Sequence, residues 1–148
     1  MIILVTGDRN WDDIELMWDV LSLYDTTTTL VHGYASGADS IAHVIGLELG
    51  FVVVPCPAHW RHNTPKWVEV YGRCDIGCEH VSGAAAGAIR NRYMLRTHRP
   101  RRVLAFHNDL SQSKGTRDMV NISRLAGIHT EHYTRNGLKS TFNESLTN

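Results

Sequence analysis

Apolar residues along the chain fall into short unbroken runs that alternate with stretches of helical spacing. Ile2-Ile3-Leu4-Val5-Thr6, closed by Gly7, is continuous rather than alternating, which predicts a central parallel strand covered on both faces. Ile14, Met17, Val20, Leu21 and Tyr24 then recur at helical spacing behind Asp12 and Asp13. Either acid can cap a helix there, and acids in a first turn suit the positive end of the helix dipole. Thr29-Leu30-Val31-His32, stopped by Gly33, predicts a second strand. Ala38, Ile41, Ala42, Ile45 and Leu49 predict a second helix with Gly50 just past its end, and Phe51-Val52-Val53-Val54 before Pro55 a third strand.

The pattern dissolves between Cys56 and Ser82, a stretch long for a loop in a compact domain. It resumes at Gly83, where small residues lead into Ile89, Tyr93, Met94 and Thr97, a helix closed by Pro100. Val103–Phe106 predicts a fourth strand, Gly115–Ala126 a further helix, and Ile128–Tyr133 a poorly apolar strand expected at an edge. The Asn/Ser/Thr-rich residues 134–148 are expected to form a flexible tail. Such alternation predicts right-handed crossovers and an α/β, Rossmann-like open parallel sheet of about five strands with helices on both faces. One domain over residues 1–133 is expected, with an insert at 56–82. Sheets of this kind bind ligands at their carboxyl edge, where strand order reverses.

Length and composition agree with that picture. The 148 residues fit one domain, and 43% hydrophobic with 20% charged residues is ordinary globular composition. Fifteen Lys and Arg balance fifteen Asp and Glu, so any affinity for polyanions must be local. The apolar runs fall far short of the ~20 residues that span a bilayer. Asp8 and Arg9 follow the first run too soon for a signal peptide. A cytoplasmic location without membrane contact is therefore expected, and three cysteines do not form a disulfide framework.

The candidate chemistry lies where strands end. Glycines at the first exit (Gly7, then Asp8 and Arg9) and at the second (Gly33, Ser36, Gly37, Asp39) let a backbone approach a ligand. The N–H groups that open the next helix offer a phosphate seat. Neither exit carries a G-x-G-x-x-G fingerprint or a Walker loop. Arg90 falls inside the inward stripe of its helix, with Ala86, Ile89, Tyr93 and Met94. A guanidinium there needs a carboxylate of the protein or a bound anion. Trp11 and Trp60 follow the first and third strands, and each can stack on a base or pack in the core. In the insert, Cys74, Cys78, His80 and His59, with His62 nearby, are a candidate structural zinc set of the right ligand types. Their spacing is not one of the strong zinc signatures, and reduced cysteines are often simply buried.

Four segments taken together, residues 5–11, 31–39, 87–95 and 115–119, resemble the YspA, YpsA-related branch of the SLOG superfamily (DUF2493), found in bacterial and phage genomes. The resemblance runs from about residue 1 to residue 133. It implies a Rossmann-like domain that binds a nucleotide or nucleotide-derived ligand at the strand exits, in the host cytoplasm where the protein is phage-encoded. Relatives include the Lonely Guy phosphoribohydrolases, which split nucleoside monophosphates into base and ribose 5-phosphate, and the SLOG domain of DprA. By that likeness Arg90 corresponds to the arginine ahead of the hydrolases' phosphate loop, and Gly115 and Thr116 to the end of their P-G-G-x-G-T-x-x-E signature.

The chain departs from that signature: Met119 stands where the catalytic glutamate belongs, and Asp118 is the nearest acid. One residue along a helix turns a side chain by ~100°. Arg90, Asp118 and Asp39 are thus the catalytic candidates, with Asp8 as a further carboxylate. Gly7, Arg9, Trp11, Gly33, Ser36, Gly37, Asp39, Arg90, Asn91, Gly115 and Thr116 are the ligand-binding candidates. Three readings stand open: a binding or sensing module for a nucleotide-type molecule, an N-glycosidic hydrolase, and a DprA-like single-stranded DNA module using Arg92, Arg96 and Arg99. A homo-oligomer accords with related folds, though no residue identifies an interface.

Overall fold

In a computed structural model that describes residues 1–58 and 85–144, the strands are β1 (Ile2–Gly7), β2 (Thr29–His32), β3 (Val52–Pro55), β4 (Arg102–Phe106), β5 (His129–Thr134) and β6 (Gly137–Phe142). The described helices are α1 (Ile14–Leu21), α2 (Ala38–Glu48), α3 (Ala85–His98) and α4 (Gly115–Leu125), with a 3-10 turn at Leu110–Gln112. Asp13 caps α1 by accepting from the Leu16 N–H at 3.1 Å.

The strands form one sheet in the order β3-β2-β1-β4-β5-β6. β1 to β5 run parallel and β6 is antiparallel to β5. The continuous apolar runs are two-faced, as expected of central strands. Ile3 and Val5 of β1, Leu30 of β2 and Leu104 and Phe106 of β4 meet Met17 and Leu21 of α1 and Ala42 and Ile45 of α2. Leu4, Val31 and Val103 turn the other way, toward Met94 of α3 and Met119 of α4. Helices thus cover both faces. From β1 the chain steps outward to β2 and β3, then returns to β4 on the other side of β1. The carboxyl ends of β1 and β4 therefore flank the switch point, where a crevice opens.

Two expectations are corrected. The sheet has six strands rather than five, because part of the supposed flexible tail folds back as β6 through a turn at Arg135-Asn136. That segment is polar because it is an edge strand, and its alternating side chains need only one covered face. β5, expected at the edge, is interior. Its polar side chains survive there by bonding among themselves and to neighbours: His129 Nε2 lies 2.7 Å from Glu131 Oε2, Tyr133 Oη donates to Glu131 Oε1 at 2.5 Å, and His132 Nε2 donates to the His107 carbonyl at 2.6 Å.

Truncation after Thr134 is expected to lower the thermal midpoint and promote aggregation, since it bares the unpaired edge of β5. Loss of a frayed tail would change neither, so thermal unfolding and light scattering of the truncated chain distinguish the two.

Candidate functional site

The exits of β1, β2 and β4, the start of α4 and one side of α3 enclose a cleft of about 730 Å³ at the carboxyl edge of the sheet. It is lined by Gly7, Asp8, Arg9, Gly33, Tyr34, Ser36, Asp39, Arg90, Asn91, His107, Lys114, Gly115, Thr116 and Asp118, among others. Sequence-predicted residues from four separate segments converge here. Two do not line it. Gly37 sits behind the wall, at φ 73°, where a side chain would strike the Asp8 and Arg9 backbone. It packs the second exit against the first.

Arg90 forms the floor of the cleft. Its Nη1 donates to the Gly33 carbonyl at 2.5 Å and the Cys56 carbonyl at 3.3 Å, and its Nε donates to Asn91 Oδ1 at 3.1 Å. A β-carbon on Gly33 would sit 2.5 Å from Nη1 and 2.6 Å from Cζ. The glycine is thus required by the guanidinium lying against the backbone. Among the described residues, no carboxylate oxygen comes within 4.0 Å of Arg90. Burial lowers its pKa, while the more distant charge of Asp39 holds it up. The cation is hydrogen-bonded but not neutralised by direct contact.

Asp39 is the nearby acid. Only 5% exposed, it lies in the first turn of α2, where its Oδ2 accepts from the N–H groups of Gly33 at 3.0 Å and Ala35 at 3.2 Å. The carboxylate therefore braces the β2 exit loop. Burial pushes its pKa up to about 6, against the opposing pull of Arg90 and those two N–H groups. The same loop holds Tyr34 at φ 58°, a left-handed conformation that L-residues with side chains seldom adopt and that clusters at binding loops. The Tyr34 N–H donates to His32 Nδ1 at 3.0 Å, so neutral His32 carries its proton on Nε2, which lies 2.8 Å from His43 Nδ1. Burial, then His43 and Arg90, depress the His32 pKa to about 4.

On the opposite wall, Asn91 donates to the Gly115 carbonyl at 3.2 Å and to Asp118 Oδ2 at 3.1 Å, fixing the start of α4 against α3. Asp118, the candidate stand-in for the missing glutamate, is engaged twice over. Arg92 Nη1 and Nη2 reach its two oxygens at 3.2 and 3.3 Å. It borders the cleft as half of an ion pair. Asn91 lines the cleft while its amide serves Arg90 on one side and α4 on the other. Thr116 N donates to Ser113 Oγ at 3.0 Å, leaving Gly115 and Thr116 to present the opening turn of α4. Asp8 Oδ2 faces His107 Nε2 at 3.8 Å across the β1 and β4 exits.

Of the two roles open to Trp11, stacking on a ligand or packing in the core, the structure shows the second, so it drops out of the ligand-binding candidates. Its ring is 3% exposed and packs edge-on against Phe106, with centroids 5.7 Å apart, and its indole N–H is taken by the Asp13 carbonyl. A bulky aromatic beside the apolar β4 is drawn into the core by the area it buries. The aromatic that lines the cleft is Tyr34, 53% exposed and stacked on His32. The signal for it, an aromatic between Gly33 and Gly37, was present in the sequence but has no periodicity. Trp60 and the zinc candidates Cys74, Cys78, His80 and His59 lie outside the described residues.

With this geometry in hand, likeness to known proteins can be placed. Residues 1–62 match the YspA, cpYpsA-related SLOG family. That span holds the first two exits, including Gly33 and Asp39. The resemblance read from the motifs is borne out over those residues, which hold the first two of its four segments. Among solved structures, DNA processing protein A (DprA) from Streptococcus pneumoniae superposes with a TM-score of 0.62 at 16% identity, over 89% of this chain and 49% of that one. At that identity the likeness is one of fold, and this chain spans about half the length of DprA. No curated protein matches the chain. None of the described helices is long and apolar enough to cross a membrane.

Two substitutions probe the site. Gly33→Ala is expected to displace the flexible Arg90 head while sparing the fold, which shows as a shifted Arg90 Nε–Hε resonance with little change in thermal midpoint. Asp39→Asn removes a buried carboxylate whose pKa lies above its ordinary 3.8, at about 6. The folded state binds that proton more tightly than the unfolded one, so ionised Asp39 costs stability as pH rises from about 4 through about 6, up to about 3 kcal/mol. Wild type is therefore expected to lose stability relative to Asp39→Asn over that window, measured by denaturant titration across pH.

Proposed function

We propose that this chain binds a small phosphorylated molecule of nucleotide type at the carboxyl edge of its sheet. The observation that carries the reading is Arg90: a largely buried guanidinium, bonded to carbonyls, without a contacting carboxylate among the described residues and lining a cleft. An interior charge in that state gains most from an anion brought in from solvent. The opening turns of α2 and α4 border the same cleft and favour negative charge. In this reading the phosphate sits over Arg90 and Gly33 near Gly115 and Thr116, and the exposed ring of Tyr34 stacks on the base.

Binding without turnover is favoured over N-glycosidic hydrolysis by the state of Asp118. A carboxylate near the sugar must be available to the reaction, and this one is held by Arg92 and Asn91. Asp39 keeps the hydrolytic reading alive as a second option, because its raised pKa suits proton transfer near neutrality. The single-stranded DNA reading is weaker. Its three arginines lie on α3 and just beyond it, and Arg92 is already paired with Asp118.

Calorimetry with a panel of nucleoside 5′-monophosphates and inorganic phosphate tests the proposal. Binding is expected in the wild type and absent in Arg90→Ala. Tyr34→Ala should weaken nucleotides severalfold while leaving inorganic phosphate unchanged. Release of base and ribose 5-phosphate would instead establish the hydrolase. A salt-sensitive shift of labelled oligonucleotide without nucleotide binding would favour the DNA module.

A further inference from the structure

We propose that Asp39 is a proton acceptor coupled to anion binding: the cleft it lines with Arg90 takes up its anion together with one proton from solvent, held on Asp39. The inference rests on the anion-binding reading of the cleft and adds to it a selectivity and a pH response.

The two oxygens of Asp39 are in unequal states. Oδ2 is bonded to the Gly33 and Ala35 N–H groups, whereas Oδ1 is fully buried with no hydrogen-bond partner. A buried carboxylate oxygen with no donor is costly. The attraction between the Asp39 and Arg90 charges offsets only part of that cost, since burial still raises the Asp39 pKa. An anion settling on Arg90 takes over as its counterion and places a second negative charge beside Asp39. Two like charges in a low-dielectric site push one group to take a proton. Once protonated, Asp39 sets no second charge against the guest, and its buried Oδ1 no longer bears charge without a donor. Oδ2 keeps both loop N–H groups, so the β2 exit need not move.

The other groups around Asp39 do not mimic this response. His32, at the end of β2, is held neutral down to about pH 4, and Cys56, after β3, stays a thiol up to about pH 11. Asp118, at the start of α4, is paired with Arg92, and Asp8, at the β1 exit, faces His107. Arg9 and Lys114 complete the charged lining. His43 on α2, bonded to His32, and His107 after β4 are the remaining imidazoles here, and both are retained in Asp39→Asn.

Sulfate is the probe, because its charge does not change between about pH 5 and about pH 8. In the wild type, sulfate affinity is expected to fall by up to about tenfold per pH unit above about 6, with about one proton taken up per anion in calorimetry across buffers of different ionisation heat. Asp39→Asn, whose amide copies the protonated acid, should bind at about pH 8 as tightly as the wild type does at about pH 5, and any dependence left in it belongs to groups other than residue 39. Wild-type binding without proton uptake would overturn the inference and leave the anion site standing, as would an Asp39→Asn variant that weakens binding equally at every pH. Failure of sulfate, phosphate and nucleoside monophosphates alike to bind the wild type would overturn the anion site itself. Should Asp39→Asn not fold, Asp39→Ser, which has no carboxyl to protonate, takes its place in the same comparison.

Discussion

A positive charge laid on bare backbone organises this molecule's carboxyl edge. Arg90 lies against Gly33 because no β-carbon stands in the way, and its head is held by carbonyls of the β2 and β3 ends and by the amide next to it on α3. Carbonyl dipoles orient a guanidinium without cancelling its charge, which leaves the cleft floor electropositive. Among the described residues the acid that offsets it, Asp39, works at a distance and is itself committed to bracing the loop that carries Gly33. Loop shape, charge balance and cleft floor are thus a single coupled arrangement.

The fold explains why that arrangement can exist where it does. Since the chain leaves β1 in one direction and returns to β4 in the other, the exits of these two strands part and leave room for a guest. Gly37 presses the second exit onto the first, and Asn91 ties the start of α4 to α3. The cleft walls are therefore set by a handful of directional contacts between elements distant in the chain, whereas the two apolar layers beneath it are set by area burial.

Chemistry at the site follows from which groups are already satisfied. Asp118 and Asn91 face the cleft, yet their polar atoms are taken up by Arg92, Arg90 and the α4 backbone. Arg90 and Asp39 are the groups with capacity left, one as a cation and one through an unpartnered oxygen. A binding function with a proton-linked guest fits that inventory better than a mechanism that requires a free carboxylate on α4.

By itself the sequence determined the alternation of strands and helices, the two-faced central strands and the inward position of Arg90. Each of these is written in local periodicity, and periodicity follows from the geometry of a single element. It also located the glycine exits whose convergence makes the cleft. Tertiary structure alone decided that residues 137–142 pair as an edge strand, that polar β5 lies inside the sheet, that Trp11 turns to the core while Tyr34 faces the cleft, and that Arg92 captures Asp118. Each of those outcomes depends on a partner supplied by another element. A polar strand is interior only if its side chains find bonds, and an acid is free only if no cation reaches it, so no window along the chain could contain the answer.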